Sequence, residues 1–261
     1  GAGHAKAKNI ILFVGDGMSL PTVAAARIYE GQSRGQSGEE NQLSFETMPY
    51  SGLSKTYNTD SQTPDSAGTM SAMMTGIKTR KGVLSINQTS HRSNCEQSRN
   101  AAMLTGFELA EMAGMSTGIV STTSLTHATP AATYAHTPER TWENDSDLPK
   151  LAVTEGCRDI ARQFVEFDFG DGIEVALGGG RLHFTPADTL DPEYQESLGA
   201  RQDKRDLIGE WKNKFPDGQY VWNKNQMDAI DPKKTRHLLG LFEPEHMNYA
   251  ADRKSDGAGE P

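Results

Sequence analysis

The sequence predicts an α/β protein with a mostly parallel sheet flanked by helices. Three observations carry that expectation. Short apolar runs at residues 9–14, 116–121 and 173–177 read as strands, and a further apolar run resumes at 238–242. Stretches of helical periodicity lie between them, and helix alternating with strand makes βαβ units. The first run ends in Gly15-Asp16-Gly17, the second in a Thr-rich loop, and the third in Gly178-Gly179-Gly180. Open α/β folds place their sites at such carboxyl ends.

Taken in order, residues 9–14 read as a buried parallel strand that delivers Asp16 at its end. The two glycines beside Asp16 let backbone approach a ligand, although Gly-Asp-Gly is also an ordinary turn. Ser19, Pro21 and the Ala-rich residues 22–29 open a helix, and 31–41 form a polar surface loop. Residues 53–58 alternate weakly and suggest a second strand. Pro64 then precedes a run in which Ala67, Met70, Met73 and Met74 recur at helical spacing, with Gly76 as the stop. Ser66 falls in that helix's first turn, where unpaired N–H groups and the helix dipole favour an anion. Asp65 or Ser66 as a plain cap is the alternative.

Residues 78–99 are polar and irregular, with Lys78, Arg80 and Lys81 as a solvated cluster. A helix is expected at 101–113, with Leu104, Phe107, Leu109 and Met112 on its apolar positions, ended by Gly114. After the 116–121 strand, His127 and Thr129 stand two apart, so extended backbone would turn both to one side. A helix is expected over 151–167. The triple glycine before Arg181 lacks the Lys-Ser/Thr of a Walker loop and reads as packing. Residues 185–220 are charged and turn-rich, an excursion from the sheet with a helix candidate at 207–211. No internal repeat appears.

The chain has 261 residues and a formal charge of −9, with no basic block, which argues against nucleic acid as a partner. Attraction for a phosphate must therefore be local. Hydrophobic content is 35%, and the longest apolar run is too short to cross a bilayer. No secretory signal is visible in the sequence. Cys95 and Cys157 are the two cysteines; they form no CxxC, and unrelated buried thiols would be the default for a cytosolic enzyme.

Several motifs together resemble alkaline phosphatases. They are Gly15-Asp16-Gly17-Met18, Thr63-Pro64-Asp65-Ser66-Ala67-Gly68-Thr69, and His127-Ala128-Thr129-Pro130-Ala131-Ala132 with Arg140 beyond it. Gly178-Gly179-Gly180-Arg181, Asp191-Pro192-Glu193-Tyr194 and Gly240-Leu241-Phe242-Glu243-Pro244 extend the likeness, and the later motifs are similar to the animal-type branch. The resemblance implies a three-layer sandwich, here incomplete, with residues 1–261 as the N-terminal portion of one domain and a metal-binding excursion around 185–261. It also implies a Cys95–Cys157 disulfide, and through it a secreted or periplasmic protein.

The implied chemistry is hydrolysis of phosphate monoesters, with broad specificity and an alkaline optimum. Ser66 lacks the G-x-S-x-G setting and no Ser-His-Asp arrangement is evident, so metal coordination is the remaining route to an alkoxide. By resemblance Ser66 attacks phosphorus, and a zinc-bound hydroxide releases inorganic phosphate from the phosphoserine. Arg140 would clamp two phosphate oxygens, a task suited to guanidinium, and Asp65 would hold Arg140. Two zinc ions and one magnesium are implied. Asp16 would bridge zinc and magnesium, Ser66 would ligate zinc, and Thr129 would ligate magnesium. His127 would order metal waters or admit zinc at the magnesium position. A peripheral calcium would take Glu193, the Phe242 carbonyl, Glu243 and Glu260, with scattered surface glutamates as the alternative.

The resemblance further implies a homodimer. It also implies that the zinc site needs more chain, because the family's Asp-x-x-x-His and Asp-His pairs occur nowhere here. The missing half is expected as a second polypeptide or an unrecorded segment. The rival readings are a noncatalytic phosphate- or metal-binding relative and a sulfatase-like member of the superfamily, whose motif Asp65-Ser66-Ala67 does not fit.

Overall fold

The computed structural model describes residues 7–253 and 259–261, and the chain divides into two compact units, 1–55 and 56–261. In the first unit, helix α1 (Leu20–Ser33) starts with a proline in its first turn, as Pro21 requires. It runs past the expected 22–29 and takes in the start of the expected 31–41 loop. The chain then folds back closely enough that a Cβ on Gly31 would lie 2.6 Å from the Gly38 Cα.

The expected strand at 9–14 is not formed. These residues are irregular, and Ile10, Ile11 and Phe13 are about four-fifths exposed (82%, 79% and 87%). A strand needs a ladder partner, and this run pairs with none among the described residues. The expected strand at 53–58 reduces to a single bridge between Asn58 and Ser61.

The second unit is built on a parallel sheet of β1 (Gly118–Ser124), β2 (Val175–Gly179), β3 (Gln219–Val221) and β4 (Leu238–Leu241), in the order β1-β2-β4-β3. Helices α2 (Ser66–Thr75), α3 (Cys95–Ser98) and α4 (Gly106–Met112) precede the sheet. Helices α5 (Ala128–Ala131), α6 (Lys150–Thr154) and α7 (Ile160–Val165) link β1 to β2. Helices α8 (Arg181–Phe184) and α9 (Leu207–Lys214) lead to β3, and α10 (Lys224–Asp228) to β4. The α/β architecture with a parallel sheet flanked by helices is thus present.

Strand alternation decides what each face covers. The row Ile119, Ala176, Leu239 and Tyr220 faces the main core, where Phe164, Phe184 and Trp211 pack against it. The neighbouring row of Val120, Leu177, Gly240 and Val221 faces a smaller cluster with Leu238 and Phe242. That second face is closed at β3 and β4 and open at β1, where Val120 is 78% exposed.

Two helices depart from expectation. Helix α4 begins later than the expected 101, leaving Leu104 exposed ahead of its Thr105 cap, and it turns Leu109 and Met112 outward while burying Glu108 and Glu111. Glu108 closes a capping box with Thr105 and meets His136 at 2.7 Å, and Glu111 accepts from the Thr117 hydroxyl at 2.6 Å. Polar partners therefore override the apolar pattern. The single helix expected over 151–167 is two, α6 and α7, parted at Gly156 with φ +80°. Next to that break, Cys157 is bonded to Cys95 with Cα atoms 5.9 Å apart. The disulfide implied by the resemblance is present. Spanning 62 positions, it contributes roughly 4 kcal/mol on the chain-entropy view.

Candidate active site

Asp65 organises the site. It caps α2, with Oδ1 accepting the Gly68 N–H at 3.1 Å, as its place before an apolar helix predicts. Oδ2 accepts from the Gly82 N–H at 2.9 Å and from Arg140 Nη1 at 3.2 Å. Its own N–H donates to Asn58 Oδ1 at 3.0 Å. The helix start, the 80s turn and Arg140 are thereby tied to one carboxylate. Gly76 ends α2 in the left-handed region, as expected.

Ser66 is the first residue of α2, half-buried, and its hydroxyl has no hydrogen-bond partner among the described residues. It sits where the helix dipole and unpaired N–H groups favour negative charge.

Arg140 reaches the same corner from the loop after α5. Its backbone N–H donates to the Gly82 carbonyl, and its Nη2 donates to His127 Nε2 at 3.1 Å. A guanidinium only donates, so His127 accepts at Nε2 and a neutral ring carries its proton on Nδ1. The His127 ring also meets the edge of His246, with centroids 5.0 Å apart. Thr129 lies within α5, so the extended spacing expected for His127 and Thr129 stops at His127, the residue that immediately precedes that helix.

Behind the corner lies a polar chain. Thr126 donates to Glu143 at 2.6 Å, and His183 Nε2 lies 3.2 Å from the same carboxylate. Asn144 donates to His183 Nδ1 at 3.0 Å. Burial pushes the Glu143 carboxyl up. His183 is pushed down to about 4, by burial first and then by His246 and Arg201. The geometry agrees, because a proton on Nδ1 would face the Asn144 amide N–H. Glu143, His183 and His246 were not singled out from the sequence. Their partners lie 17 to 122 positions away, and no local motif marks them.

Among the described residues, no group of three or more His, Cys, Asp or Glu side chains is arranged to hold a metal ion. His127 Nε2 is engaged by Arg140, and Asp16 belongs to the first unit, so the described residues of the second unit do not by themselves close a zinc or magnesium site. Of the peripheral residues, Glu243 and Glu260 share Asn248 as a neighbour. Glu243 accepts from Tyr194 and Asn248, and Glu260 accepts the Asn248 N–H at 2.6 Å. Phe242 is buried beside Glu243. Two of the three carboxylates are ion-paired, however, Glu193 with Arg181 at 3.1 Å and Glu260 with Arg253 at 2.8 Å. As arranged, the set does not fit calcium.

A nucleating carboxylate, a serine at a helix start and a partly open arginine, set near the carboxyl end of a parallel sheet, define an α/β protein with a corner able to receive an anion. The family model for alkaline phosphatase matches residues 7–259, and the chain belongs to that family. It is 44% identical to alkaline phosphatase from Gadus morhua, over 96% of this chain and 53% of that protein. It is 40% identical to the tissue-nonspecific isozyme of Homo sapiens, over 95% of this chain and 48% of that one. The crystal structure of Thermus thermophilus alkaline phosphatase superposes with a TM-score of 0.69 at 28% identity, covering 95% of this chain and 42% of that one. The chain thus spans about half the length of the curated relatives it matches. Alkaline phosphatases use metal ions as a family.

Proposed function

We propose that this chain supplies the nucleophile and the phosphate clamp of an alkaline phosphatase acting on phosphate monoesters. The observation that carries the reading is the double duty of Asp65, which caps the helix bearing Ser66 and anchors Arg140. Ser66 attacks phosphorus and forms a phosphoserine, and the leaving alcohol departs. Arg140 holds two oxygens of the phosphoryl group through donors that Asp65 and His127 do not occupy. His127 orients the guanidinium by accepting at Nε2. Water then releases inorganic phosphate. Broad specificity and an alkaline optimum belong to this reading.

The two zinc ions and the magnesium of the reading need donors beyond His127, Thr129 and Ser66. Asp16 and the rest of an alkaline phosphatase polypeptide are proposed to complete those sites, in a single domain to which this chain contributes the N-terminal portion. Calcium at Glu193, Phe242, Glu243 and Glu260 enters only if Arg181 and Arg253 give way. A homodimer, and export supported by the disulfide, complete the reading. Among the described residues no helix is long and apolar enough to cross a membrane.

The test is turnover of p-nitrophenyl phosphate at alkaline pH by the full-length polypeptide carrying this chain. Turnover that disappears on chelation is expected. Phosphate binding without turnover would favour the noncatalytic alternative.

A further inference from the structure

We propose that His246 is a positioning residue that fixes the loop presenting His127 to Arg140. The proposal rests on the hydrolase reading above. Its starting point is an irregularity in the sheet. β1 and β2 keep a regular register from Gly118↔Val175 to Val120↔Leu177, and the next pair is Ser124↔Gly179. Four steps on β1 therefore match two on β2, and residues 121–123 bulge out of the ladder.

The bulge and its exit leave backbone groups that β2 does not serve, and the 240s loop takes them. The Met247 N–H donates to the Thr122 carbonyl at 3.0 Å. The Ser124 N–H donates to His246 Nδ1 at 3.0 Å, and the Ser124 hydroxyl lies 3.3 Å from the same nitrogen. Ser124 is buried, so its N–H needs an acceptor. The loop is pressed against the end of β2, where a Cβ on Gly179 would fall 1.9 Å from the Glu245 carbonyl oxygen. Only glycine leaves room for that approach.

From Ser124 the connection to the site is short. The Ser124 carbonyl accepts the His127 N–H at 3.0 Å, closing the turn that carries the imidazole. The His246 ring meets the His127 ring edge-on, with planes at 84°. His246 thus touches the turn at its first residue and the imidazole at its last. His127 Nε2 then holds Arg140, and Arg140 holds Asp65. His246 is itself exposed, with its Nδ1 edge turned inward. If it were removed, water could satisfy the Ser124 N–H but would hold nothing in place.

The position of the acceptor supplies the test. His246→Asn keeps an acceptor near the Nδ1 position, His246→Gln moves it outward to where Nε2 stands, and His246→Ala removes it. In the full-length polypeptide, Ser124 amide exchange is expected to stay slow in the wild type and the Asn variant and to accelerate in the Gln and Ala variants. Turnover number should fall about tenfold in the latter two, as for other groups that orient an active-site ligand, with KM within about twofold. Asn should restore it. Should the Ala variant not fold, Asn against Gln still decides, since they differ mainly in where the acceptor sits. Equal exchange and equal turnover in Asn and Gln would overturn the proposal. A wild type that turns over no phosphomonoester, yet shows the exchange order, would overturn the hydrolase reading and uphold the placement of His246.

Discussion

Two arginines, Arg140 and Arg181, each meet a carboxylate at the edge of the same unit, and they are held in opposite ways. Arg181 is 2% exposed; it makes a two-pronged contact with Asp191 at 2.7 and 2.8 Å, reaches Glu193, and donates to the Leu241 carbonyl. Arg140 is 20% exposed, and it spends one nitrogen on Asp65 and one on His127. A guanidinium has five donors. Arg181 is nearly saturated inside the fold, whereas Arg140 is fixed in place with donors to spare. The first is a brace and the second can be a clamp. The same difference separates the two acidic settings. Burial opposes ionisation of Asp191, yet the bonds and charge of Arg181 hold its carboxyl below the usual range. Asp65 is organised mainly by backbone N–H groups and so leaves Arg140 accessible.

The largest effect that would sharpen this contrast belongs to the serine beside Asp65. Ser66→Ala should lower phosphomonoester turnover by roughly a thousandfold or more while leaving the melting temperature within a few degrees. Wild-type turnover in the alanine variant would break the comparison at once. Arg181→Ala should act on stability instead. Leaving Asp191 and Glu193 buried without their cation should cost roughly 3–5 kcal/mol, read as a lower denaturant midpoint. An unchanged midpoint would show that Arg181 is no brace. Arg140→Ala should do the reverse, with weaker inhibition by inorganic phosphate, by about tenfold, and a stability change near 1 kcal/mol. Unaltered phosphate inhibition would count against the clamp.

How much of this was legible in the sequence depends on how local each cause is. The Asp65 cap, the α2 helix and the Gly76 stop are written within a dozen residues, and the structure has them as expected. The pairing of Asp65 with Arg140 spans 75 positions and that of Ser124 with His246 spans 122, so only the fold joins them. Glu108 and Glu111 were invisible as core residues because their partners, His136 and Thr117, lie outside the helix pattern. The split between α6 and α7 did carry a signal, since Gly156 with its left-handed backbone stands in the middle of the expected helix. Residues 9–14 have the composition of a buried strand and lack a pairing partner among the described residues. Composition states what a segment can bury, and the rest of the fold decides whether it does.

A smaller effect separates two histidines behind these corners. His183, near 4 in the folded state against about 6.5 unfolded, lets the unfolded chain bind more protons between those values. Its contribution is present above pH 6.5 and is lost as pH falls toward 4, by up to roughly 3 kcal/mol. His136 runs the other way. Burial works against its charge, but the Glu108 carboxylate and the Ser85 carbonyl raise its pKa. Its contribution is present below pH 6.5 and is lost as pH rises through the raised value. Urea midpoints measured from pH 4 to 8 should flatten on the acid side in His183→Phe, and an unchanged acid slope would contradict the assignment.

The central claim, that Ser66 beside Asp65 and Arg140 receives the phosphoryl group, has one direct measurement. The full-length polypeptide carrying this chain is quenched in acid during turnover of a phosphomonoester, and the peptides are analysed by mass spectrometry. The account predicts a phosphate group on Ser66 that disappears when substrate is exhausted. Continued turnover with Ser66 unmodified, or with the phosphate on another residue, would contradict it.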